Sequence, residues 1–243
     1  MRVTFFGTSH GVPEPNRKCS CIMLEAGDKK YLIDAGTNPV DALVKRNIAP
    51  ERINAVFITH THGDHIDGLI PFVDLCCWKF KNAEPVIYLP EMAAADAIKT
   101  FIGCLHVTFR DEIRFEKVTE GAFYDDGTLK VTAFKTGHME YAYAYLCESE
   151  GKKLLFTGDL KHGDGAVSDY ERFVPGERLD LVVAEGVHFD ACLYKEPLLK
   201  NPPKLFCFNH YSLGRMEPCL RLKRELNGAV DIVFATDDLE LNV

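Results

Sequence analysis

No uncharged apolar run in this 243-residue chain approaches the roughly eighteen residues that a membrane-crossing helix requires. The N-terminus, Met1 to Gly7, is too short and too soon broken by glycine to act as the apolar segment of a secretory signal, so a cytoplasmic protein with no membrane partner is expected. A disulfide framework is missing too. The nine cysteines are odd in number, and several sit in apolar runs, such as Cys76 and Cys77 beside Leu75 and Trp78, where a reduced cysteine acts as a small hydrophobe. Positive charge is scarce: 28 Lys and Arg face 36 Asp and Glu, a net charge of −8. That field repels polyanions, so a protein gripping long nucleic acid through phosphates would need a local basic patch, and only Lys29-Lys30, Lys152-Lys153 and Arg221 to Arg224 offer one. Linker-like and low-complexity stretches are also lacking. With 47% hydrophobic residues to fill a core, a single domain over residues 1–243 is expected.

What is present is a succession of short strand-like segments. Val3 to Phe6, Ser20 to Glu25 and Tyr31 to Ile33 are separated by turn residues and suggest an opening meander. Helix-like stretches follow at Val40 to Arg46, Asp64 to Phe72 and Glu91 to Ile102, with strands at Ala55 to Ile58 and Val86 to Leu89 between them. The second half adds strands at Ile113 to Val118, Leu129 to Thr136, Ala142 to Cys147, Lys153 to Thr157, Leu181 to Ala184, Lys204 to Phe208 and Ile232 to Ala235, and a helix at Glu217 to Leu226. Strands first and helices later in each half imply an α/β arrangement of packed sheets with helices outside.

The stretch richest in chemistry is Thr59-His60-Thr61-His62-Gly63-Asp64-His65-Ile66-Asp67-Gly68, directly after an apolar strand. Three imidazoles and a carboxylate within six residues suit zinc and neighbouring divalent metals. Alternation in an extended segment places His60 and His62 on one side, and the following turn aims Asp64 and His65 elsewhere, so two metals could be served.

The pattern His-x-His-x-Asp-His, here His60, His62, Asp64 and His65, resembles the signature of the metallo-β-lactamase superfamily, and the likeness spans nearly the whole chain. The resemblance implies a four-layer αββα sandwich with metals at one edge and further ligands at later strand ends. His138 in Thr136-Gly137-His138 matches the third ligand of the first metal, Asp159 in Thr157-Gly158-Asp159 the bridging aspartate, and His210 in Asn209-His210-Tyr211 the last ligand of the second metal. Asp34 in Ile33-Asp34-Ala35-Gly36 resembles the aspartate that orients a ligating histidine, and Asp67 is a weaker match to that role. Two divalent ions, zinc first and manganese or iron next, are the implied cofactors. A water bridging them would be acidified to hydroxide near neutral pH, with Asp64 and Asp159 in the catalytic set.

Within the superfamily, Phe6-Gly7-Thr8-Ser9-His10-Gly11-Val12-Pro13 together with Leu32 to Gly36 looks most like the ribonuclease Z and cyclic phosphodiesterase branch. Glu185 in Ala184-Glu185-Gly186-Val187-His188 resembles that branch's acid-assisting glutamate, and His188, three positions on, is a candidate proton donor. The long RNA-binding arm that ribonuclease Z commonly carries between the positions of His138 and Asp159 has no room here, since the interval is 21 positions filled by two strands. Cys19-Ser20-Cys21 with His10 faintly echoes a cysteine zinc site of the phosphodiesterase relatives, but it does not complete four ligands. The expectation is a phosphodiesterase for a small phosphodiester or nucleotide. Ester, thioester or lactone hydrolysis, ribonuclease Z-like RNA processing, and a non-catalytic metal-binding module are the alternatives, and a homodimer is compatible with the sequence.

Overall fold

The computed structural model describes residues 1–174, 176 and 178–243. In chain order the first half forms β1 (Arg2–Gly7), β2 (Cys21–Ala26), β3 (Lys29–Ala35), α1 (Pro39–Lys45), β4 (Ile53–Phe57), α2 (Gly63–Ile66), α3 (Leu69–Trp78), β5 (Val86–Leu89), α4 (Ala93–Cys104) and β6 (Arg114–Lys117). The second half forms β7 (Gly121–Asp125), β8 (Lys130–Lys135), β9 (Tyr143–Ser149), β10 (Lys152–Phe156), α5 (Gly165–Phe173), β11 (Leu181–Ala184), α6 (Lys195–Lys200), β12 (Leu205–Phe208), α7 (Glu217–Leu226), β13 (Ile232–Phe234) and β14 (Glu240–Asn242).

The strands make two seven-stranded sheets, ordered β14-β1-β2-β3-β4-β5-β6 and β13-β12-β11-β10-β9-β8-β7. Each is an antiparallel meander that turns parallel, at β3–β4 in the first and β10–β11 in the second. β11, and β4 from Ala55 onward, read as continuous apolar runs because both of their faces are covered there. One face of the first sheet packs on α1, α3 and α4, through Leu43, Phe72 and Ile98 among others. Its other face meets the second sheet across Phe5, Tyr31, Phe57, Tyr145 and Phe156. Helices α5, α6 and α7 cover the far side of the second sheet through Tyr170, Leu198 and Leu222. These are the four layers of an αββα sandwich. Phe57 sits in an aromatic cluster with Tyr88 and Tyr124 at centroid distances of 5.3 and 5.0 Å; truncating a core ring of this kind costs about 3–5 kcal/mol.

The helix expected over Asp64 to Phe72 is two helices, α2 and α3. The break is at Gly68, whose N–H donates to Ala35 O at 2.7 Å and where a Cβ would lie 2.0 Å from Thr37 O. Gly36 is equally constrained, since its Cβ would meet Asp64 O at 1.7 Å. The β3–α1 loop therefore lies directly on α2, which carries two of the ligand-type residues. Strands β7 and β14 and helices α5 and α6 were not foreseen from sequence pattern.

Candidate metal centre

The side chains expected to bind metal come together from both sheets at strand ends. β4 stops at Phe57, and the chain runs on through Thr59 and His60 to α2, which bears Asp64 and His65. Tyr143 N–H donates to Thr59 O at 3.0 Å and Tyr145 Oη to Ile58 O at 2.5 Å, fastening this loop to the second sheet. His138 follows β8, Asp159 follows β10 and His210 follows β12.

Two groups result. His60, His62, His138 and Asp159 form one, and Asp64, His65 and His210 the other, with one ligand atom from each member within 4.8 Å of the rest of its group. In the first, His62 Nδ1 is 3.1 Å from both His60 Nε2 and His138 Nε2, and Asp159 Oδ2 is 3.5 and 3.7 Å from those two atoms. In the second, Asp64 Oδ2 is 3.4 Å from His65 Nε2 and 3.0 Å from His210 Nε2. Asp159 Oδ1 lies 3.4 Å from His65 Nε2, so this carboxylate faces both groups.

These spacings fit divalent cations. Tetrahedral metal–nitrogen bonds of about 2.0–2.1 Å put neighbouring ligand atoms about 3.3 Å apart. His65 Nε2 and Asp159 Oδ1 are buried without hydrogen-bond partners, which costs free energy unless a cation accepts them. Burial pushes the His60 imidazole down to about 2, with His65 adding to the effect, so His60 stays neutral and keeps a lone pair for coordination. Burial also works against charge on His65, but Asp159 and Asp34 outweigh it and hold its pKa well above the ordinary value. Burial likewise works against charge on Asp64 and Asp159, yet both are held below the usual carboxylate range, Asp64 by its bond to His210 and by His65 beside it and Asp159 by His210 and His65 nearby.

Asp34 is 3% exposed and accepts from Thr59 N–H at 2.8 Å, while its Oδ2 is 2.7 Å from His65 Nδ1. Bonding at Nδ1 turns His65 Nε2 toward the centre, as expected for an orienting carboxylate. Asp67 lies beside Gly63 and makes no hydrogen bond to a ligand side chain among the described residues. Glu185 is buried beside the cleft and fully engaged: it accepts from Leu160 N–H at 2.7 Å and from His188 N–H at 3.0 Å, and its Oε2 is 2.8 Å from His188 Nδ1. His188 Nε2 then points inward, 3.8 Å from Asp159 Oδ2. Burial opposes a proton on His188, but Glu185 more than offsets it and raises the pKa.

Sequence pattern missed His162, an exposed residue whose ring is 4.5 Å from that of His188 and 5.7 Å from that of His138. It stands three positions after Asp159 in a polar loop, and no ligand spacing marks it. His10 and the Cys19–Cys21 pair form no metal group among the described residues; Cys19 Sγ is 3.9 Å from His10 O, and Cys21 is buried.

Sandwich and histidine–aspartate centre together define a protein of the metallo-β-lactamase fold. The chain belongs to the family described as "Anti-Pycsar protein Apyc1", whose model matches residues 1–175. It is 32% identical to ribonuclease BN of Cronobacter sakazakii over 157 residues, covering 63% of this chain and 51% of that protein. It is 31% identical to ribonuclease Z of Gloeothece citriformis over 209 residues, covering 79% and 65%. The chain thus spans about half to two thirds of the length of these relatives. In fold it resembles the metallo-β-lactamase fold protein YhfI of Bacillus subtilis, with a TM-score of 0.79, 18% identity, and 99% and 98% of the two chains covered. Among the described residues no helix is long and apolar enough to cross a membrane.

Proposed function

We propose that the protein is a two-cation phosphodiesterase acting on small phosphodiesters, cyclic or nucleotide-derived. The observation carrying this reading is the convergence of seven ligand-type side chains into two groups that share Asp159. His60, His62 and His138 would hold one cation, and Asp64, His65 and His210 the other, with zinc the favoured metal. When bound, the pair supplies Lewis acidity and an acidified water.

The chain's own residues do the rest. Asp159 sets the separation of the two groups, and Asp34 fixes the face that His65 presents. Asp64 belongs to the catalytic set because it borders the reacting space on the His210 side. Glu185 orients His188 through Nδ1, leaving Nε2 to donate a proton to the departing oxygen. Relatives named as ribonucleases favour phosphodiester over carboxylic ester chemistry. A small substrate is favoured because β9 and β10 occupy the interval between His138 and Asp159, and because the net charge is −8.

A substrate panel tests this. Bis-aryl phosphates and cyclic nucleotides should be cleaved faster than aryl esters, thioesters, lactones or precursor tRNA. Site-specific trimming of precursor tRNA as the best activity, or preference for a carboxylic ester, would overturn the reading.

A further inference from the structure

Arg17 is 6% exposed, and its side chain lies outside the centre itself. Its Nε donates to Thr8 Oγ1 at 3.1 Å, Nη2 donates to Thr8 O, and Nη1 donates to Tyr211 O at 2.9 Å and to Glu14 Oε2 at 2.6 Å. The guanidinium carbon stands 3.9 Å from the centre of the Tyr211 ring. Every one of these partners bears on the loop that carries His210. Thr8 O also accepts His210 N–H at 3.1 Å, and Glu14 Oε1 accepts Leu213 N–H at 2.9 Å and Ser212 Oγ at 3.2 Å. His210 itself has a φ of +52°, a left-handed conformation that a non-glycine residue keeps only where its surroundings hold it. None of the bonds of Arg17 reaches His60, His62 or His138.

We propose that Arg17 is a positioning residue for the second cation group. Its planar fork spans the N-terminal loop and residues 210–213, and so holds His210 aimed at Asp64. Arginine suits the task because one rigid head serves four acceptors, which a lysine ammonium cannot do in the same geometry. The proposal rests on the two-cation reading above, and it predicts that loss of Arg17 weakens one cation site while sparing the other.

The test is a calorimetric titration of metal-free full-length protein with zinc ions alone, beside a thermal melt. Wild type should show two sites. Arg17→Met should keep the first within about twofold and bind the second roughly 10- to 100-fold more weakly, the range typical of losing support behind a ligand. Arg17→Lys should recover part of the loss, and Glu14→Gln should weaken the same site by less; these two variants carry the test if Arg17→Met does not fold. Two sites of wild-type affinity in the variants overturn the proposal. So does equal weakening of both sites with a lowered melting temperature, which marks a general structural role. Fewer than two sites in wild type itself overturns the two-cation reading, and the proposal with it.

Discussion

His188 is held from behind by one carboxylate and looks toward another: Glu185 Oε2 is 2.8 Å from its Nδ1, and Asp159 Oδ2 is 3.8 Å from its Nε2. This arrangement suits proton donation to an alkoxide leaving group. Replacing His188 with Ala should therefore cost roughly a hundredfold or more in turnover of a phosphodiester with a poor alkoxide leaving group. Turnover of the bis-nitrophenyl ester should change little, because nitrophenolate departs unprotonated. Paired rates on the two substrates check this, and equal losses on both would deny the role. The cluster at His60 to His65 was legible in the sequence because ligand spacing is a local property of the chain. Asp34 and His138 were legible through the strands they follow. His162 and Arg17 were not, since each is a lone residue whose meaning comes from partners far along the chain, such as Tyr211 for Arg17.

Among the elements, the β7–β8 turn has the clearest single anchor. Asp126 Oδ1 accepts Thr128 N–H and Leu129 N–H at 2.9 Å each, closing the turn. Its Oδ2 accepts Tyr124 Oη and, from the opposite sheet, Tyr31 Oη, each at 2.8 Å, and lies 3.0 Å from Lys29 Nζ. One carboxylate thus ties β3 of the first sheet to the hairpin of the second. Asp126→Ala should destabilise the protein by about 2–3 kcal/mol, from several lost bonds and a buried tyrosine hydroxyl left unpaired. Burial alone would raise the pKa of Asp126, but the Leu129 and Thr128 amides and Lys29 lower it below the usual carboxylate range. A depressed folded-state pKa adds stability above the unfolded-state value and loses it as pH falls toward the folded one. The gap between wild type and Asp126→Ala in denaturant midpoint should accordingly be full at pH 7 and narrow below about pH 4; a constant gap would show that the ionised carboxylate is not the tie. Strands such as β5 and β11 were legible because each is a compact apolar run. β14 was not: Glu-Leu-Asn has little strand character, and it pairs with β1 from the far end of the chain. Helix α5 was not legible although Ala166, Tyr170 and Phe173 recur at helical spacing, because Ser168, Asp169, Glu171 and Arg172 among them read as a polar loop.

Over the whole molecule, the two sheets repeat one scheme, a meander followed by parallel strands, and their ends meet at a shared edge where neither sheet alone supplies either histidine–aspartate group. The αββα architecture was legible because strand and helix order constrains layer packing, and because the His-x-His-x-Asp-His pattern resembles a known superfamily. The central claim is that chemistry begins only when both ligand groups are filled. The most direct measurement is the turnover of a bis-aryl phosphate by metal-free protein as zinc ions are added stepwise. Rates should start at background and rise to a plateau near two equivalents per chain. Full activity before any metal is added, a plateau at one equivalent, or no turnover with zinc, manganese or iron would contradict the account.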